Sequence, residues 1–213
     1  MASASAGDIL YYDNNSPAGW KRLAAGTSGY FLKTQGAGAV PVWDVASGGG
    51  STKPFICFRP IDNEPPTSNF ATLDTRNSRP VLEFDTTTQE AAIFSGVLPV
   101  AYAAGGLTVE VYFAADTATS GTIGWDVAIE RIDASSLDTD TDSFSTAKTI
   151  TAATVPGTSG QILKSSAAFA TGSPDDMDNL AAGEAFRLRI RRDVANDTAT
   201  GDAQVFYVVV RET

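Results

Sequence analysis

The stretch Leu107-Thr108-Val109-Glu110-Val111-Tyr112-Phe113 decides the fold. Leu107, Val109, Val111 and Phe113 alternate with Thr108, Glu110 and Tyr112, the period-two pattern of a strand with one face in a core. Outward from it the pattern repeats. Trp125, Val127 and Ile129 alternate with Asp126, Ala128 and Glu130, and Phe186, Leu188 and Ile190 alternate with Arg187, Arg189 and Arg191. The run Val205-Phe206-Tyr207-Val208-Val209-Val210 is apolar throughout, as for a strand covered on both faces. Weaker candidates lie at residues 81–84, 91–94, 146–153 and 161–169, separated by turn-rich segments, with one helical turn expected over 174–180. About eight short antiparallel strands predict an all-β, jelly-roll-like sandwich over residues 54–213.

Composition agrees. Ala, Gly, Thr, Ser, Val and Asp dominate, and helix-building runs of Leu, Lys, Glu and Gln are nearly absent. Hydrophobic residues make up 43% and charged residues 19%, enough apolar chain to close a core rather than stay disordered. The net charge of −10, with 15 scattered Lys and Arg, offers no surface for counterion release and predicts no nucleic-acid partner. Met1-Ala2-Ser3-Ala4-Ser5-Ala6 has neither a basic nor an apolar region, so no signal peptide and no membrane insertion are expected. The single cysteine, Cys57, lies in the apolar run Pro54-Phe55-Ile56-Cys57-Phe58 and is read as a buried small hydrophobe.

Toward the N-terminus the chain changes character. The glycine-rich residues 47–53 read as a flexible joint. Before them, residues 1–46 hold short extended pieces broken by Gly, Asn and Pro, together a short irregular β segment carrying Tyr11, Tyr12, Trp20, Tyr30, Phe31 and Trp43. So short a segment cannot bury six aromatic rings in a core of its own, and these six are the expected docking and oligomer-interface residues.

Two sets of motifs resemble known proteins. Gly7-Asp8-Ile9-Leu10-Tyr11, Arg22-Leu23-Ala24-Ala25-Gly26-Thr27-Ser28-Gly29-Tyr30-Phe31-Leu32-Lys33 and Pro41-Val42-Trp43 resemble a short module that recurs in bacteriophage fibre proteins. Asp13-Asn14-Asn15-Ser16-Pro17-Ala18-Gly19 departs from it as an insertion. Leu73-Asp74-Thr75-Arg76-Asn77-Ser78-Arg79-Pro80, Phe94-Ser95-Gly96-Val97-Leu98-Pro99, Gly105-Gly106-Leu107-Thr108-Val109 and Trp125-Asp126-Val127-Ala128 are similar to a sandwich domain of phage structural proteins. The resemblance implies a virion subunit, homotrimeric, assembled in the bacterial host cytoplasm with other tail, baseplate or capsid proteins. A tail or head fibre would display the sandwich to the host surface, with a glycan as receptor class. A capsid decoration protein, or a small carbohydrate-acting enzyme, is the alternative.

The sequence gives little support to catalysis. It has no histidine, which removes Ser-His-Asp and Cys-His chemistry. One cysteine excludes a zinc centre built on several thiolates, and no phosphate-cradling glycine loop is present. No catalytic or cofactor-binding residue is therefore assigned. Glu110 and Glu130 are the acids expected to share a face, either in an ion-pair ladder with Arg187, Arg189 and Arg191 or as a glycosidase pair. Asp138, Asp140 and Asp142, after Asp133, alternate as Ca²⁺ ligands do. Ser143 and Thr149, however, stand where an EF-hand loop has Gly and Glu, leaving either an unusual cation site or a plain acidic loop. Asp193, Asn196, Asp197 and Asp202 pose the same choice. Tyr102 and Phe70 are the loop aromatics that could stack on a sugar or serve in packing. Finally, residues 26–33 and 157–164 agree at six of eight positions, through reuse of a turn-and-strand unit or through a biased alphabet.

Overall fold

The computed structural model describes residues 5–15, 17–45, 53, 55–134 and 137–213. The expected joint at 47–53 lies outside them except for Lys53. The chain divides into two compact units, residues 1–52 and 53–213.

The first unit holds two hairpins. Strands β1 (Ile9–Asp13) and β2 (Gly19–Leu23) pair antiparallel, with Tyr12 opposite Trp20. Strands β3 (Tyr30–Lys33) and β4 (Val42–Val45) pair with Leu32 opposite Trp43. Trp43 ties the hairpins together: its indole Nε1 donates to the Ala24 carbonyl at 2.7 Å. Its ring lies so close to Gly26 that any Cβ there would sit 2.5 Å from it, so Gly26 and Trp43 form one local packing unit.

The second unit contains the eight strands read from the sequence: β7 (Arg79–Phe84), β8 (Ala91–Val97), β9 (Leu107–Ala115), β10 (Thr122–Arg131), β11 (Lys148–Thr154), β12 (Leu163–Phe169), β13 (Ala185–Arg192) and β14 (Ala203–Glu212). One sheet runs β11-β10-β13-β8 and the other β12-β9-β14-β7. All these neighbours are antiparallel, and this order is the jelly roll.

Two strands go beyond the sequence reading. The strand β5 (Phe55–Phe58) pairs with β14 beyond the end of β7, and β6 (Thr72–Arg76) extends the sheet past β7. The β6–β7 turn places Asn77 and Ser78 at φ 48° and 63°, as a two-residue hairpin turn requires. The expected helical turn is Pro174–Met177, capped by Ser173.

Between the sheets lies a continuous core. Phe84, Val109, Val111, Phe113, Val205, Val208 and Val210 come from the larger sheet, and Phe94, Trp125, Val127, Ile129, Phe186, Leu188 and Ile190 from the smaller. Trp125 joins the two by edge-on contacts with Phe84 and Phe113, at centroid distances of 5.0 and 5.2 Å. Arg192, wholly buried, pairs with Asp197 at 2.7 Å and donates to the carbonyls of Phe84 and Gly201.

Two readings change. Cys57 is exposed, because β5 is a short outer strand whose alternate residues leave the core. Its thiol pKa is nonetheless raised by partial desolvation and by Asp62, with Arg59 opposing, which disfavours a reactive thiolate. The run 205–210 is not covered on both faces either, since Tyr207 is half exposed.

Candidate functional site

Face by face, the first hairpin of the N-terminal unit explains its exposure. Antiparallel register puts Leu10, Tyr12, Trp20 and Arg22 on one face and Ile9, Tyr11, Lys21 and Leu23 on the other. Tyr12 and Trp20 meet edge to face at 5.5 Å, each 59% exposed. Asp13, at the strand end, accepts from Lys21 Nζ at 2.7 Å and from Asn15, which holds its carboxyl below the usual range. In the second hairpin Tyr30, Phe31, Leu32 and Val45 are exposed, Phe31 by 61%. Of the six expected docking residues, Tyr12, Trp20, Tyr30 and Phe31 project from the unit. Tyr11 is half buried, and Trp43 is committed to Ala24 and Gly26.

The acidic candidates turn out to be structural. Glu130 and Arg187 are directly opposed on β10 and β13 and bond at 2.7 Å. Asp142 meets the same guanidinium at 2.9 Å, and Phe144 lies under Arg187 and Arg189. Residues 142–144 thus cover the sheet's outer face, and Glu130 is fully buried there with Ser143 donating to it. Glu110 stands on the other sheet, on β9, where Lys164 and Arg211 hold it. The expectation that Glu110 and Glu130 share a face is therefore wrong: alternation marks the face of a strand but not its sheet. With the acids on different sheets, the glycosidase pairing has no geometry.

Most of the cation candidates have partners within the chain. Asp138 accepts from the Asp140 backbone and Asp142 is taken by Arg187. Asp197 holds Arg192, Asp202 accepts from Thr86 N, and Asp193 accepts from Asn196. Among the described residues no three His, Cys, Asp or Glu converge as metal ligands. Tyr102 is buried, its hydroxyl accepting from Gly106 N, so it is a packing residue; Phe70 is half exposed beside β8. Within the described residues no helix is long and apolar enough to cross a membrane.

The repeated motif has a shared local form. Gly29 and Gly160 both take positive φ, at 87° and 78°, in turns that lead into β3 and β12.

The sequence reading missed one feature, a groove on the outer face of the larger sheet. It is lined by Tyr112, Ile162, Phe206 and Tyr207 and walled by Ile61 and Pro80. In the sequence it shows only as the unbroken apolar run 205–210.

No family model matches the chain, and no curated protein matches it. Among solved structures it is similar to a family 35 carbohydrate-binding module from Cellvibrio japonicus, at 8% identity over 74% of this chain and 92% of that one, with TM-score 0.42. A family 35 module from an environmental isolate shows 10% identity over 74% and 97%, with TM-score 0.43. The structure of infectious bursal disease virus, Gx strain, shows 8% identity over 90% of this chain and 38% of its own, with TM-score 0.32.

Proposed function

We propose that this chain is a non-enzymatic structural subunit of a bacteriophage particle. In this reading it is a short, trimeric, fibre-like protein of tail or head, anchored through residues 1–46 and presenting the jelly roll to the host surface. One observation carries the reading, the asymmetry between the two units. Tyr12, Trp20, Tyr30 and Phe31 stand exposed on two small hairpins, whereas the second unit closes its own core. Exposed apolar surface of that kind belongs in a contact with another chain. The resemblance of residues 7–43 to a phage fibre module supplies the class of partner. Catalysis finds no support in a chain without histidine whose candidate acids are held in ion pairs.

The test is electron microscopy of particles labelled on this protein, with copies counted. A fibre gives a few discrete sites at a vertex or tail. Label spread over the capsid lattice would refute the fibre and move the chain to decoration.

A further inference from the structure

In β14 the pairing with β9 slips between Val205 and Tyr207. Val205 faces Phe113 in the core, while Tyr207 faces Tyr112 on the outside. Phe206 is therefore the extra residue of a β-bulge, a device that re-aims side chains and that recurs beside binding sites. Its consequence is chemical. Tyr207 is turned out of the core and Phe206 joins it at the lining of one cleft of about 530 Å³. Tyr112 and Ile162 also line it, and Pro60, Ile61 and Pro80 bound it. Tyr207 is 49% exposed, and the Tyr112 hydroxyl is anchored to Glu110 Oε2 at 3.2 Å.

The ionised residues lining this cleft are Arg59 and Arg79, in a chain of net charge −10. Arg59 reaches Asp62 only at 3.6 Å. Arg79 makes no ion pair among the described residues. The neighbouring cations Lys164 and Arg211 are already taken by Glu110.

We infer that this cleft binds an acidic sugar of a host-surface glycan, a pyranose face lying on Tyr207 and its carboxylate meeting Arg59 and Arg79. Aromatic faces with apolar walls suit the C–H face of a sugar ring, and guanidinium forks suit a carboxylate. An extended peptide is disfavoured, because β14 is bonded to β9 on one side and to β7 and β5 in turn on the other. That leaves it little open edge on which to add a strand. The inference rests on the jelly roll being the displayed part.

The full-length protein is to be titrated with galacturonate, glucuronate and sialate oligosaccharides, and with maltohexaose and cellohexaose as neutral controls. At least one acidic oligosaccharide binds more tightly than both neutral ones. Tyr207→Ala weakens that binding about tenfold or more, and the double variant Arg59→Gln/Arg79→Gln removes the preference for acid. All three positions are exposed, and cooperative unfolding of each variant verifies its fold. The inference is overturned by equal binding of acidic and neutral sugars, by no binding at all, or by Tyr207→Ala binding as the parent does. A Tyr207→Ala protein whose only change is a lower oligomeric mass would make the cleft a contact between copies, which also overturns it. Binding is read on the isolated chain, so a protein that binds the acidic sugar yet is absent from particles defeats the proposed function alone.

Discussion

Arg192 shows how much a single residue can commit. Its guanidinium is fully buried on β13 and held by Asp197, Phe84 O and Gly201 O. Removing it leaves the Asp197 carboxylate buried without a counter-charge, a loss of about 3–5 kcal/mol. Arg192→Ala should lower the free energy of unfolding in chemical denaturation by that much, and an unchanged free energy would show the pair to be incidental. Asp85 titrates instead. Its Oδ1 accepts from the Thr87 hydroxyl and from Thr88 N and Thr87 N, which together hold its pKa at about 2. Because the folded value lies below the unfolded 3.8, this stabilisation is complete above pH 3.8 and lost as pH falls through 2. Asp85→Asn should therefore lower the unfolding temperature at pH 5 more than at pH 2, with equal shifts at both counting against it. Single residues were also where the sequence misled. Cys57 sits in an apolar run and yet is exposed, because its neighbours do not reveal that β5 lies outside the main order.

At the level of elements, the eight jelly-roll strands were legible: β9, β10 and β13 by the alternate residues that mark a core face, β14 as an apolar run, and the rest as weaker runs bounded by turns. The strands β5 and β6 were not, since Phe55 and Leu73 are exposed and no clean alternation marks them. Pairing was hidden too. Nothing local assigns Glu110 to one sheet and Glu130 to the other, and the bulge that builds the cleft appears in sequence only as one apolar run. Within the shared core, Trp125 is a large side chain that bridges the sheets, against Phe84 and Phe113. Trp125→Ala should cost about 3–5 kcal/mol in chemical denaturation. Trp125→Phe should cost less, because the buried Nε1 has no hydrogen-bond partner and its removal forfeits none. A phenylalanine variant as damaged as the alanine one would contradict this account of the inter-sheet contact.

At the scale of the whole molecule, the chain forms two compact units, residues 1–52 and 53–213. An aromatic segment too short for a core and a sandwich long enough for one were both readable from composition and length. The structure adds which rings project and which, like Trp43, hold the hairpins together. The central claim is that residues 1–46 attach the chain to the particle while the jelly roll faces outward. Its most direct measurement uses a phage lacking its own copy, supplied with the chain from residue 54 onward, after cooperative unfolding has shown that this fragment folds. Particles are purified and the fragment assayed in them. The account predicts that full-length protein copurifies and the fragment does not; normal incorporation of the fragment would contradict it and place attachment on the jelly roll.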